Sequence, residues 1–244
     1  MLPQCLARKS VGGKQERREL EVPVLALSQL SRAVEQRRGK PRRRAASKRS
    51  LATSLSILDA AESLFAERGY DGASVRDIAA AAGAQIASVS FHHGGKETLF
   101  ERVVERRASE LAELRIAALG KAKANGSPLT LEAVLSAFVR PYLDKAADDA
   151  QWLAYARLVA MVSADRRWRH ISQRLFDPTA GIFIDEIAAL FPRASRGAIA
   201  VTFVFSVSAM LSVSTSRWRI EELAHAAPDQ ATDMDALADP LIRY

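Results

Sequence analysis

The 244-residue chain is 48% hydrophobic and has one cysteine, Cys5: it can bury a full core, but it cannot close an internal disulfide or build a cysteine-rich zinc site. The net charge of +7 is unevenly placed, with 14 Lys or Arg against 4 Asp or Glu in residues 1–50 and 21 basic against 24 acidic groups in the rest. Long alternating patterns of the β type are missing and Ala, Leu, Arg and Glu dominate, which predicts an all-α protein.

Residues 1–50 read as a disordered basic arm. The run Arg37, Arg38, Lys40, Arg42, Arg43, Arg44, Lys48, Arg49 abuts the first predicted helix and is too charged to join a packed core. Arg42, Arg43 and Arg44 are candidate DNA contacts, since counterion release gives such an arm sequence-independent affinity for a duplex and a minor groove accepts it. The first 35 residues also read as a solubilising tail or as the product of a start codon placed too far upstream. The apolar stretch Val22 to Leu30 is short, flanked by acids and Arg, and lacks a convincing cleavage site, so it does not read as a secretory leader. The lone cysteine fits a cytoplasmic location.

Ile57, Ala60, Ala61, Leu64 and Phe65 form the apolar stripe of an amphipathic helix. Gly69 follows at the place of a left-handed C-cap. Ser74 precedes Val75, Ile78, Ala79 and Ala82 at helical spacing, with Asp77 at the capping-box position, and Gly83 ends this second helix. A third short helix has to begin within a few residues. Two short helices joined by a tight glycine-containing turn, behind a supporting helix, have the layout of a helix-turn-helix that reads DNA.

The segments ILDAAESLFAERGYDGASVRDIAAAAG and FHHGGKETLF closely resemble the TetR family of bacterial transcriptional regulators. The specific resemblance runs from Thr53 to Arg102. It implies a helix-turn-helix DNA-binding domain over residues 51–102 and a helical ligand-binding and dimerisation domain over 103–244. The function it implies is that of a homodimeric repressor, held on an inverted-repeat operator in double-stranded DNA and released by a small-molecule effector.

Carried over position by position, the resemblance makes Lys96 a phosphate contact at the start of the fourth helix, where the helix dipole already favours an anion. Thr53 occupies the cap position of the first helix and matches a phosphate contact, although N-capping alone explains it equally well. Arg76 reaches a base or a phosphate from the second helix. Ile86, Ala87, Ser88, Ser90 and His92 face DNA, and Gln85 stands at the start of the recognition helix, where it reads adenine or serves as a poor cap. Ile86 and Ala87 read shape or a thymine methyl, whereas the serines hydrogen-bond. Val89 and Phe91 match inward-packing positions. The sequence departs from the family pattern at His93, where an apolar residue is usual, at Gly95, which replaces a frequent cap, and at Ser54 and Ser90.

Farther along, helices are predicted over Glu97 to Leu119, Leu131 to Ala147 with Pro141 as a kink, and Asp149 to Ser163. Others follow over Trp168 to Leu190, interrupted near Asp177-Pro178, Ser195 to Ser214, and Thr232 to Ile242. The apolar stretch Ala198 to Val213 is shorter than the ~20 residues of a spanning helix and carries Ser and Thr, so it reads as a core or interface helix of a protein without a membrane anchor. Phe203, Phe205, Met210 and Leu211 are the candidate dimer contacts. Trp152, Tyr155, Met161, Phe176 and Phe183 lie on helices that would surround a ligand pocket, and each is equally explained as plain core. With few charges evident inside the helices, the expected effector is a small, neutral or amphipathic apolar compound.

Neither a catalytic residue, a cofactor nor a metal is expected. G-x-S-x-G, P-loop, G-x-G-x-x-G and H-E-x-x-H motifs are missing. His92 and His93 are neighbours on one helix, so their rings point about 100° apart and cannot easily share an ion. An architectural, unspecific DNA binder is the competing reading and a helical enzyme a distant third.

Overall fold

The computed structural model describes residues 48–225 and 236–243, and every regular element among them is helical. The basic run Arg42, Arg43, Arg44 lies outside the described residues. The described residues all fall within one compact unit. Its first helix, α1 (Lys48–Gly72), buries Ile57, Ala61, Leu64 and Phe65, the stripe that the spacing predicts. Gly69 interrupts it with φ 72° and ψ 171°, a backbone state that glycine adopts without strain. The helix begins five residues before Thr53, so Thr53 is not its cap: the Thr53 hydroxyl donates to the Arg49 carbonyl at 3.0 Å. Lys48 and Arg49 are accordingly helical rather than part of a disordered arm.

Helix α2 (Val75–Ala81) starts with a complete capping box between Ser74 and Asp77, and α3 (Ile86–His93) follows Gly83, whose φ is 61°. α4 (Lys96–Ala124) is longer than its apolar pattern predicts, because Lys121 to Ala124 are good helix formers and Gly120 costs only about 1 kcal/mol. It stops at Asn125, before Gly126 at φ 80°. α5 (Leu131–Asp148) carries Pro141 inside, and α6 (Ala150–Ala164) is capped by the Asp149 carboxylate. After the 3-10 turn Arg166–Trp168 come α7 (Arg169–Leu175) and α8 (Asp177–Leu190), divided at Phe176 with Pro178 in the first turn of α8. α9 (Arg196–Thr215) is followed by α10 (Arg217–Leu223), which the sequence pattern does not foretell, and α11 (Ala238–Arg243) covers the end of the helix expected over Thr232 to Ile242, whose first residues lie outside the described residues.

Helices α1 to α4 are fastened to the rest by an aromatic cluster. Phe100 meets Phe65 at 5.1 Å, Tyr70 at 5.3 Å and Trp168 at 4.7 Å between ring centroids. Such edge-to-face and tilted pairs add about 0.5 to 1.5 kcal/mol each beyond the area they bury. Beside it, Glu62 of α1 is fully buried, held by Arg106 and by Arg107 of α4, the latter at 3.0 Å. Arg107 also donates to Gln151 of α6 at 2.6 Å. A second aromatic group, Phe138 with Phe183 at 5.1 Å and with Phe203 at 4.8 Å, ties α5 to α8 and α9.

Candidate nucleic-acid interface and interior cavity

Helix α3 divides cleanly into two sides. Val89 and His93, four residues apart, are buried, while Gln85, Ile86, Ala87, Ser90 and Phe91 are exposed and Ser88 and His92 half-buried. Phe91 therefore does not pack inward as the sequence suggests; it is 81% exposed. The reason is angular: two residues beyond Val89 it has turned about 200° around the axis, away from the core. Arg76 is exposed on the neighbouring α2, which packs against α3.

The inward role falls to His93. Its Nε2 lies 3.2 Å from the Ser54 hydroxyl and 3.1 Å from the Ser54 carbonyl of α1. Two departures from the family pattern, Ser54 and His93, thus meet through His93 Nε2 and join α1 to α3, while His93 Nδ1 is buried without a hydrogen-bond partner among the described residues. Burial pushes the His93 pKa down; the Ser54 carbonyl opposes this, and the nearby Arg102 and His92 charges add to it. Arg102 of α4 donates to the His92 carbonyl at 2.8 Å, tying the end of α3 to α4.

Lys96 is the first residue of α4 and its ammonium stands 4.4 Å from the Tyr70 ring centroid. That contact steadies the side chain at a helix N-terminus, where unpaired backbone N–H groups attract phosphate. Thr53, half-buried, adjoins the Ser54–His93 junction. Glu97, Glu101 and His170 also gather within 4.8 Å, but Glu101 is already engaged by His170 at 3.1 Å and Arg174 at 2.9 Å, which makes the group an ion-pair cluster.

A cavity of about 440 Å³ opens among helices α4 to α9. Of the aromatic residues singled out from sequence, Tyr155 and Phe176 line it. Trp152, Met161 and Phe183 are not on its wall. Trp152 is buried under Arg107, whose guanidinium lies 5.0 Å from the ring, Met161 lies beside Gly69, and Phe183 packs edge-on against Phe138.

The wall also holds a residue that sequence reasoning missed. Arg115 lines the cavity with its Nε donating to the Phe138 carbonyl at 2.8 Å and its guanidinium 3.6 Å from the Phe138 ring centroid. Burial brings its pKa down to about 10, an effect opposed by the Tyr155 and Tyr142 hydroxyls. The same burial raises Tyr142 to about 12 and pushes Tyr155 up as well. The expectation of few charges inside the helices did not single it out. A signal existed: Arg115 stands four residues from both Leu111 and Leu119, on the buried stripe of α4.

Comparison with known proteins agrees with this geometry. Residues 57–103 match the family described as "Bacterial regulatory proteins, tetR family", and residues 136–244 match "Tetracyclin repressor-like, C-terminal domain". The HTH-type transcriptional repressor AcnR of Corynebacterium glutamicum is 40% identical over 58 residues, 24% of this chain and 31% of the relative; AcnR of Corynebacterium efficiens matches over a similar span. The chain thus spans about a third of the length of the curated relatives it matches. Solved structures cover far more at lower identity. A TetR-family transcriptional regulator from Bordetella parapertussis superposes with a TM-score of 0.58 at 18% identity, over 78% of this chain and 92% of that one. The transcriptional regulator FadR of Bacillus subtilis, in complex with stearoyl-CoA, gives a TM-score of 0.58 at 16% identity over 77% and 95%. With both its helix-turn-helix and its C-terminal helices matched to one family, the chain belongs to the TetR family of bacterial transcriptional regulators.

Proposed function

We propose that the protein is a cytoplasmic homodimeric repressor that holds an inverted-repeat operator and releases it when a small ligand enters the cavity. The observation that carries this reading is the two-sidedness of α3. A helix anchored by Val89 and His93 presents Gln85, Ile86, Ala87, Ser88, Ser90 and His92 away from the core, at the dimensions of a major-groove reader. Arg76, Thr53 and Lys96 position the duplex through phosphates, and the basic arm with Arg42, Arg43 and Arg44 adds affinity without sequence preference. The exposed Phe91 extends the apolar part of the surface next to the recognition positions.

One recognition helix reads too few bases to be selective, so a two-fold dimer on a palindromic site is expected. Helix α9 is apolar enough, at a mean hydropathy of 1.9, to cross a membrane by length and composition. Its buried face, with Ile199, Phe203, Met210 and Leu211, packs within the protomer against α6 and α8. Phe203, Met210 and Leu211 are therefore core rather than seam. Val201, Val204 and Phe205 of α9 and Trp218 and Leu223 of α10 remain exposed, and they form the proposed dimer face. The Bacillus subtilis FadR complex shows an amphipathic acyl compound bound by a protein of this fold, which supports the cavity as an effector site.

Selection of bound sequences from a random DNA pool tests the reading. Enrichment of one palindrome is expected, with the protein sedimenting as a dimer at micromolar concentration. Binding without base preference, governed by salt alone, would identify an unspecific DNA binder instead.

A further inference from the structure

Among the described residues Arg115 is the one cation on the cavity wall, and its donors are largely unspent. Nε serves the Phe138 carbonyl, and Nη2 has only the Met210 sulfur at 3.9 Å. Nη1 has no hydrogen-bond partner among the described residues. Nor does any carboxylate among them form an ion pair with Arg115. The acidic residue on the cavity wall, Asp177, is solvent-exposed at the start of α8 and is not paired with it. Phe138, Tyr142 and Tyr155 are among its neighbours, and the cavity wall is otherwise mainly apolar, with Ser163, Ser172, Thr179 and Ser208 as its neutral polar residues. A guanidinium desolvated among such groups without an acid is costly to the fold by itself. Its planar fork matches a carboxylate in two parallel hydrogen bonds.

We propose that the cavity takes a free aliphatic carboxylic acid, whose carboxylate seats on Arg115 inside the protein and whose chain lies along the apolar wall. This rests on the reading of the cavity as an effector site and names the ligand's chemical class. A coenzyme A thioester fits less well, because its acyl carbonyl is neutral and its charges belong to a nucleotide too large to share about 440 Å³ with an acyl chain. The free acid brings its charge to the half-buried cation, and both are neutralised at the cavity wall.

The test compares dodecanoate, 1-dodecanol and dodecanoyl-coenzyme A by calorimetric titration of the full-length protein without DNA. Dodecanoate is expected to bind about tenfold tighter than the alcohol or more, as a charge-assisted hydrogen-bond pair requires. Arg115→Met is expected to erase that preference while leaving the alcohol's affinity nearly unchanged. The comparison on the unmutated protein decides the matter even if the variant folds poorly. Equal or tighter binding of the alcohol, tightest binding of the thioester, no binding of the acid up to its solubility, or a preference that survives Arg115→Met overturns the proposal. Operator release is measured separately. If saturating dodecanoate leaves operator affinity unchanged, the regulatory reading fails and the Arg115 site stands; if 1-dodecanol releases the operator at concentrations as low as dodecanoate needs, the Arg115 site fails and the regulatory reading stands.

Discussion

The helix-turn-helix end of the molecule and the cavity end treat a desolvated charge in opposite ways. At the junction of α1 with α4, Glu62 is wholly enclosed, and Arg106 and Arg107 meet its two oxygens while Gln151 and Asp59 take up further guanidinium donors. In the cavity, Arg115 is enclosed among Phe138, Tyr142 and Tyr155 with no acid beside it among the described residues. The first arrangement finds its counter-charges within the chain, although Arg106 Nε is buried without a hydrogen-bond partner among the described residues, and it joins the helix-turn-helix to the helices behind it. The second is complete only when something arrives. A buried charge whose partners are built in is therefore a structural device, and one whose partner is missing marks a place for a ligand.

Removing a charge at each end should break this symmetry most sharply. Glu62→Ala strands Arg106 and Arg107 and is expected to destabilise the fold by about 3 to 5 kcal/mol, read from chemical denaturation. Arg115→Met removes a charge that no carboxylate among the described residues balances, and with it the hydrogen bond to the Phe138 carbonyl and the contact with the Phe138 ring, so without ligand the same denaturation curve should move by no more than ~1 kcal/mol. A large loss of stability in Arg115→Met would show that the cation has a structural partner and would end the contrast.

The polar joint at the DNA-reading end sharpens the comparison through pH. His93 is stabilising when neutral, since burial holds its folded pKa below the unfolded value of 6.5. Its contribution is fully present above pH 6.5 and is lost as pH falls through the folded pKa. Thermal melts should therefore fall more steeply below pH 6.5 in the unmutated protein than in His93→Leu. The smallest effect belongs to the surface: Lys96→Ala should weaken operator and unrelated DNA alike and reduce the salt slope of binding by about one unit, without altering base preference.

The legibility of these two ends in the sequence was just as uneven. Helices α1 and α2 announce themselves through local rules: an apolar stripe, glycines at positive φ and a Ser–Asp capping box all act within a few residues of one another. The start of α1 was hidden because Thr53 is a good cap residue in composition but sits inside a helix that continues back to Lys48. Phe91 was misplaced because an aromatic residue was given to the core by resemblance, whereas the 100° step from Val89 sends it to solvent. The cavity depended on contacts between distant helices, which spacing along one helix does not encode. Aromatic content pointed equally to Tyr155, on the wall, and to Trp152, under Arg107. Arg115 could have been found as a cation interrupting the stripe between Leu111 and Leu119, but the lack of an acid beside it is visible only in three dimensions.

The most direct test of the account is a linkage measurement on the unmutated protein, with the operator recovered by selection and dodecanoate as the cavity ligand. Operator affinity is measured across rising dodecanoate, and dodecanoate affinity with and without saturating operator. The account expects operator affinity to fall to a plateau and the two affinities to change by the same factor, as coupled equilibria require. Operator affinity that stays constant while dodecanoate fills the cavity would contradict it.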